Sequence, residues 1–252
     1  MHSPSPAAIS RTIPLRFALA LALGLSIAAG SAFADSPRSK SKVLGSITAQ
    51  AGQSYGSLDS VNGGISIERG ATVQSAETVN GGIRIEEGAK VGSAETVNGS
   101  ITIAGRVQLG DAETVNGGIS LEDDSEVSGS LETVNGAIRI GARSVVTRDA
   151  ETVNGSIRLD GGTVRGTLRT VNGDLLLMAG ATAGGIEVEE PNRGWWNWGA
   201  EKLPRVVIGA GSKVTGPMVF KREVKLFVHE SARIGEVLGA TPVRFSGDEA
   251  PE

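Results

Sequence analysis

The stretch ETVNGGIRI at residues 77–85 decides the fold, because close copies of it recur along the chain. The copies are ETVNGSITI (95–103), ETVNGGISL (113–121), ETVNGAIRI (132–140) and ETVNGSIRL (151–159). The Val-Asn-Gly triplets begin at Val61, Val79, Val97, Val115, Val134, Val153 and Val171, so successive steps are 18, 18, 18, 19, 19 and 18 residues. A period of this length predicts a solenoid, in which each repeat is completed only by stacking on the next.

A second period, of six residues, runs inside each repeat. Val73, Val79, Ile85 and Val91 are six residues apart, and a further apolar column, beginning at Ile65, lies two residues before a hexad position. Residues two apart share one side of a strand. The pattern predicts an all-β, single-domain parallel β-helix of ten or eleven coils, with both apolar columns inside a triangular cross-section. Helix is disfavoured, because steps of two and six and the 36 glycines fit neither helical period nor helical propensity.

The asparagine of each triplet also recurs once per coil. Stacked coils would align these side chains, which predicts a structural ladder of amide hydrogen bonds. Asparagine and glycine both tolerate positive φ, so we expect the Asn-Gly pairs to turn the corners with that backbone conformation. The predicted ladder consists of Asn62, Asn80, Asn98, Asn116, Asn135, Asn154 and Asn172.

The ends of the chain indicate export. Arg11 and Arg16 precede the apolar run FALALALGLSIAAG, and a small-x-small site follows at residues 32–34, which predicts a signal peptide over 1–34. We expect a linker at 35–42, the solenoid at 43–245 with a Trp-rich excursion at 191–204, and a polar tail at 246–252. The mature chain should contain no transmembrane segment. Among exported locations, the periplasm is favoured over the extracellular space.

Composition narrows the possible partners and stabilising devices. The chain has no cysteine, so disulfides cannot stabilise an exported fold. Removing residues 1–34 leaves 22 of the 24 Lys+Arg and all 28 Asp+Glu, a net charge of 22 − 28 = −6. This charge argues against nucleic acid as a partner.

The tryptophans are the strongest candidates for a binding site. Trp195, Trp196 and Trp198 lie within four residues, beside Arg193. Two interpretations remain open: the indoles lie against the solenoid wall as a structural plug, or they stay exposed and stack on sugar rings or on a protein partner.

The residue inventory gives little support for catalysis. His229 is the single histidine after the signal segment, and we expect it to point outward from a strand. The acidic run EDDSE at 122–126 is the densest carboxylate cluster, but Asp123 and Asp124, being adjacent, should face apart. We therefore predict no catalytic residue and no cofactor, with a polysaccharide-active enzyme as a minor alternative.

Two outward columns flank the repeated asparagines. The glutamates at the start of the repeated phrase should form solvated corner residues that bind divalent cations weakly at most, because a regular strip lacks the converging oxygens that calcium needs. We predict no metal site. The threonines that follow them, such as Thr78 and Thr96, should also point outward. The glutamate column is Glu77, Glu95, Glu113, Glu132 and Glu151.

The repeated ETVNGSI phrase behind an export signal resembles a bacterial adhesin-like family of β-helix proteins that has no established activity. The resemblance covers most of residues 43–245 and implies a parallel β-helix. More distantly the coils are similar to the bactofilins, cytoskeletal β-helices that polymerise end to end. The resulting hypothesis is an exported, non-catalytic solenoid with a structural or adhesin-like role in the cell envelope. Its partner would be an unknown envelope protein or glycan, and the rod could also self-associate end to end or side by side. The alternative is a glycan- or envelope-binding module that acts through the Trp-rich loop.

Overall fold

Each sequence repeat forms one coil of a parallel β-solenoid in the computed structural model, which describes residues 38–191, 203–247 and 249–251. Two long sheets run along the stack, one of 11 strands and one of 14 strands, and their strands pair in parallel between neighbouring coils. At a strand spacing of about 4.8 Å, eleven coils make a rod roughly 50 Å long. Within these ranges no helix is long and apolar enough to span a membrane.

The 11-stranded sheet forms the first face of the coil. Its strands are short because a corner follows after three or four residues in most coils. In chain order they are β2 (Ile47–Ala49), β4 (Ile65–Ile67), β6 (Ile83–Ile85), β8 (Ile101–Ile103), β10 (Ile119–Leu121), β13 (Ile138–Ile140), β16 (Ile157–Asp160), β18 (Leu175–Met178), β20 (Arg205–Ile208), β23 (Lys225–His229) and β25 (Val243–Phe245).

The 14-stranded sheet supplies the second and third faces, because seven of its strands are long enough to cover both and the other seven each cover one. They are β1 (Arg38–Leu44), β3 (Ser54–Asn62), β5 (Thr72–Asn80), β7 (Lys90–Asn98), β9 (Gln108–Asn116), β11 (Glu126–Val127), β12 (Leu131–Asn135), β14 (Val145–Val146), β15 (Ala150–Thr152), β17 (Thr163–Thr170), β19 (Thr182–Val188), β21 (Lys213–Val214), β22 (Met218–Phe220) and β24 (Val237–Leu238).

The interior is filled by two inward side chains from each face of a coil. In the coil from residue 83 the first face contributes Ile83 and Ile85, the second contributes Ala89 and Val91, and the third contributes Ala94 and Thr96; all are at most 5% exposed. Each side chain stacks on its copy in the next coil, as Ile83 does on Ile101. The apolar column predicted from Ile65 is therefore confirmed as core.

The third face corrects two predictions. Six of the seven Val-Asn-Gly valines are half-buried on the outside instead of inside the coil, and Val171 is buried at 7% exposure, whereas the threonines before the valines point inward. Thr96 is 5% exposed, and its hydroxyl donates to the carbonyl of Gly81 in the preceding coil at 2.9 Å. The physical reason is strand alternation: Ala94 is inward, so Thr96 is inward and Val97 is outward. The expected outward threonine column is wrong.

The corner glycines also serve a different purpose from the predicted one. Neither residue of the Asn-Gly pairs is among those with positive φ. Gly117 instead lies so close to the preceding coil that a Cβ atom would come within 1.9 Å of the carbonyl oxygen of Gly99. The same close approach recurs at Gly99 and Gly136. Glycine is required here because the backbones touch, not because the backbone is left-handed.

The two 19-residue repeats place their extra residue at a corner. Leu131 pairs with Ala112, 19 residues back, whereas Val127 pairs with Leu109, 18 residues back. The additional residue therefore lies between Val127 and Leu131. It divides what is one bent strand in earlier coils into β11 and β12.

Both ends of the rod differ from the sequence prediction. Strand β1 begins at Arg38, inside the predicted linker, because its backbone pairs with β3 although most of its side chains are exposed. At the other end the predicted polar tail returns to the rod. Ala250 packs against a cluster that includes Phe227 and Phe245, and Arg205 donates to the Ala250 carbonyl at 2.9 Å.

Candidate functional site

The seven asparagines form one continuous hydrogen-bonded column along a corner of the rod. Each side-chain amide donates from Nδ2 to Oδ1 of the asparagine one coil before it. The six bonds run from Asn80 to Asn62, Asn98 to Asn80, Asn116 to Asn98, Asn135 to Asn116, Asn154 to Asn135 and Asn172 to Asn154, with lengths of 2.9–3.0 Å. Every interior member both donates and accepts, so the ladder holds successive corners in one register.

The Trp-rich segment is inserted in the sequence where this ladder stops. Val188 pairs with Thr170 and Val206 pairs with Leu175, so the segment between them replaces the Asn-Gly corner of the next coil. Arg193 and the three tryptophans, Trp195, Trp196 and Trp198, lie outside the described residues. The structure therefore locates the two ends of this segment at the ladder corner.

The glutamate column lies on the outside of the third face. Glu77 pairs in register with Glu95, and Glu95 with Glu113. Burial is the main cause that raises the pKa of all three carboxyls above their ordinary value, and neighbouring carboxylates raise it further. Most of the column is thus half-buried rather than fully solvated, although Glu95 is exposed. No group of three or more His, Cys, Asp or Glu residues within the described ranges is arranged to hold a metal ion.

An ion network ends the glutamate column. Burial, the largest effect, raises the pKa of Glu151 to about 7 despite its contact with Arg169, and nearby carboxylates add to the rise. Arg169 also pairs with Glu187 at 2.9 Å, and Lys221 pairs with Glu187 at 2.8 Å. Burial opposes ionisation of Glu187, but the hydrogen bonds from Lys221 and Arg169 outweigh it and lower its pKa. Along the column, carboxylates that repel one another therefore give way, over three coils, to carboxylates paired with Arg169 and Lys221.

Another corner of the rod carries a column of left-handed residues that sequence reasoning missed. In most coils this position is glycine. The column consists of Gly52, Gly70, Gly88, Arg106, Asp124, Arg143 and Gly161, with φ between 58° and 73°. A non-glycine residue pays about 1–2 kcal/mol for this conformation. The signal in the sequence was the replacement of a recurrent glycine by charged residues in three successive coils.

The charged residues of this corner pair with one another between coils. The carboxylate of Glu87 is 3.1 Å from Arg69 and also contacts Arg106. Arg143 donates to both carboxylate oxygens of Asp124, at 2.6 and 2.8 Å. These hydrogen bonds are the main cause that lowers the pKa of Asp124.

Asp123 also faces Arg143, with its Oδ2 at 3.6 Å from Nη2. The expectation that Asp123 and Asp124 face apart is therefore wrong. The positive φ of Asp124 turns its side chain away from ordinary strand alternation, and both carboxylates converge on one guanidinium.

A groove of about 570 Å³ lies between this corner and the first face. Its floor includes Ser120, whose side chain is short, and Gly141, where a Cβ atom would come within 2.5 Å of Asp123 Oδ1. Charged groups flank that floor from four successive coils. They are Arg106, Glu122, Asp123, Asp124, Arg139 and Asp160.

His229 lies far along the chain from this groove and is half-buried on the outside of β23. Its ring contacts Phe245 edge to face at a centroid distance of 5.2 Å, and its Nδ1 lies 2.8 Å from the Ser231 hydroxyl. Within the described residues, the His229 side chain forms no hydrogen bond with a carboxylate. The arrangement fits a surface residue that supports the last coils.

No protein-family model matches the chain, and searches of curated proteins and of solved structures find no match either. The resemblance to the adhesin-like family and to the bactofilins therefore extends only as far as a β-helix repeat protein of about 11 coils.

Proposed function

We propose that this chain is an exported, non-catalytic β-solenoid with a structural or adhesin-like role in the cell envelope, with the periplasm as the favoured location. The observation that carries the proposal is the asparagine ladder, whose six bonds connect seven successive corners. A continuous ladder of this kind, together with stacked core residues, resists sliding of one coil over another. A stiff rod with the same chemistry at each step suits a spacer or a display surface better than a pocket for one substrate.

The repeating geometry supplies a specific test of the spacer role. Deleting residues 81–98 removes one 18-residue coil and joins Asn80 to Gly99, which preserves the Val-Asn-Gly corner. We expect the shortened chain to fold, to reach the same envelope fraction and to restore envelope resistance or surface attachment in cells that lack the full-length chain. Recovery of the full-length chain from the cytoplasm, or loss of function with a well-folded shortened rod, would contradict the proposal.

A second candidate function is binding of an envelope glycan or protein through the Trp-rich loop. It is favoured by the position of the loop ends, because Val188 and Arg205 flank the place where the uniform ladder corner is interrupted. Local departures from a rigid scaffold commonly carry recognition. Changing both Trp195 and Trp196 to Ala should then abolish retention on envelope material and leave thermal unfolding almost unaltered.

The same double variant distinguishes a structural plug from a binding loop. A plug would lose buried aromatic contacts, and stability should fall by about 3 kcal/mol or more. A variant that is as stable as the parent and still binds envelope material would exclude both roles. Release of reducing ends from envelope polysaccharide by the purified chain would instead support the minor alternative, a polysaccharide-active enzyme.

A further inference from the structure

The groove beside Ser120 is a local interruption in an otherwise repetitive surface. Ser120 and Arg139 are neighbours in the outward column of the first face, and Glu122, Gly141 and Asp160 lie in the next outward column. Arg106 and the Asp123–Asp124 corner complete the lining. Its volume of about 570 Å³ falls within the roughly 300–1,000 Å³ usual for small-ligand sites. We propose that this groove binds a neutral saccharide segment.

The donors and acceptors around the groove match hydroxyl groups. The guanidiniums of Arg106 and Arg139 can only donate hydrogen bonds, and the ionised carboxylates of Asp123 and Asp160 can only accept them. A sugar hydroxyl both donates and accepts, so adjacent hydroxyls on one ring can accept hydrogen bonds from the guanidiniums and donate hydrogen bonds to the carboxylates. An apolar ligand would leave these groups unsatisfied.

The charges around the groove favour a neutral ligand over an ionic one. Glu122, Asp123, Asp124 and Asp160 would repel an anion, and the Arg139 guanidinium would repel a cation. Arg143 and Arg158 neutralise two of the carboxylates from outside the lining, since each forms a two-point pair with its aspartate. The groove is therefore polar without a strong net charge.

Several wall groups are already fixed in position. Arg158 holds Asp160 through two bonds of 2.6 Å, and Asp123 accepts from the backbone N–H of Ala142 at 2.8 Å. Each carboxylate retains further acceptor capacity. Arg139 differs, because it is exposed and makes no hydrogen bond or ion pair with the described part of the chain. Preorganised acceptors reduce the entropy lost on binding, and Arg139 supplies an unused donor.

This site is independent of the proposed envelope role and of the Trp-rich loop, because its lining residues lie between Gly105 and Asp160, in coils that precede the loop. A failure of saccharide binding would leave the export and scaffold tests untouched. Conversely, a chain that binds saccharide could still fail those tests. The two proposals are therefore distinguishable.

The test is calorimetric titration of the purified chain with three neutral oligosaccharides: cellohexaose, chitohexaose and maltohexaose. We expect at least one to bind, and Arg139→Ala to weaken that binding by about tenfold or more. Ser120→Tyr, which fills the floor with a residue favoured in strands, should abolish it. Arg84→Ala and Ser66→Tyr are matched controls, because both positions lie in the same outward column, in coils nearer the N-terminal end of the rod, and are outside the groove lining.

Three outcomes would overturn the inference. The first is no heat of binding with any of the three sugars at millimolar concentration. The second is binding that Arg139→Ala and Ser120→Tyr leave unchanged while thermal unfolding shows both variants to be folded. The third is preference for an anionic probe, hexagalacturonate, over all three neutral sugars. If Ser120→Tyr fails to fold, Arg139→Ala against Arg84→Ala still decides the result.

Discussion

The guanidinium of Arg222 donates from Nη1 to Oδ1 of Asn172 at 2.8 Å, 50 residues earlier in the chain. The same nitrogen donates to the Val171 carbonyl at 3.1 Å. Asn172 is the last member of the amide ladder, so Arg222 satisfies the acceptor that would otherwise face the interrupted corner. The coil that follows the Trp-rich excursion is thereby tied to the uniform coils before it, and the ladder ends on a charged donor rather than on water.

Loss of one ladder member should cost stability in proportion to the bonds it makes. Asn98 donates to Asn80 and accepts from Asn116, whereas Asn62 only accepts from Asn80 in the ladder. Since an exposed hydrogen bond contributes about 0.5–1 kcal/mol, Asn98→Ala should lower the free energy of unfolding by about 1–2 kcal/mol. Asn62→Ala is the matched control and should cost about half as much. Equal costs in urea unfolding would show that the number of ladder hydrogen bonds does not set the loss of stability.

The corner glycines predict a sharper effect from a single methyl group. A Cβ on Gly117 would lie 1.9 Å from the Gly99 oxygen, and backbone atoms cannot move away without separating two coils. We expect Gly117→Ala to destabilise the rod by roughly 1–3 kcal/mol or more. Gly82→Ala is the control. Gly82 directly follows the Asn-Gly pair of its coil, and the same position in other coils already holds Ser100 and Ala137. A Gly117→Ala variant that unfolds at the parent's denaturant midpoint would exclude close backbone contact at this corner.

The sequence was sufficient to predict the coil, its length and the apolar column of the first face, because the 18-residue period and the two-residue spacing constrain strands directly. It was not sufficient to assign the third face. Thr78 and Val79 are both β-branched, and hydrophobicity alone favoured Val79 as the inward residue. The structure buries Thr78 because its hydroxyl finds the Gly63 carbonyl at 2.9 Å, a partner that the one-dimensional pattern does not reveal.

The candidate groove was beyond sequence reasoning for a related reason. Ser120, Arg139 and Asp160 belong to different coils, and none of them is part of a recognisable short motif. Their proximity depends on where the 19-residue repeat places its extra residue and on the left-handed turn at Asp124. Only the positions at which charged residues replace the recurrent corner glycine gave an advance signal.

The half-buried carboxyls predict that the rod becomes more stable on mild acidification. The pKa of Glu151 is raised from 4.5 to about 7 in the folded chain, so the folded state binds this proton more tightly than the unfolded state does. Its contribution is present below pH 4.5 and is lost as the pH rises through about 7. Glu77, Glu95 and Glu113 act in the same direction.

The free energy of unfolding should therefore be higher near pH 5 than near pH 7.5, and Glu151→Gln should flatten this dependence. Glu187, whose pKa is lowered, loses its contribution only below its unfolded value of 4.5 and does not reverse the trend in this window. Glu126→Gln, at an exposed position on the second face, controls for the loss of one charge. A parent that is more stable at pH 7.5 than at pH 5 would contradict the burial argument.

The N-terminal edge of the described rod predicts that two lysines hinder end-to-end joining of copies. Among the residues that the structure describes, strand β2 pairs with β4 on one side only, and open edges of this kind tend to recruit further strands. Lys40 donates to the Thr48 carbonyl at 2.6 Å, and Lys42 donates to the Ser46 carbonyl at 2.9 Å. The two amines therefore occupy acceptors that an incoming strand would need. They also place positive charge at the point where a second copy would approach.

Replacing both Lys40 and Lys42 with Ala should free these acceptors and remove that charge, so the variant should associate into larger species at concentrations where the parent sediments as a monomer. The control pair is Arg84→Ala with Lys90→Ala, which removes the same charge from the side of the rod instead of its end. Sedimentation velocity across a concentration series distinguishes the variants. If the parent protein already assembles into linear oligomers, the lysines do not block the edge. If the control pair associates to the same extent as the lysine variant, the effect comes from net charge rather than from the open strand.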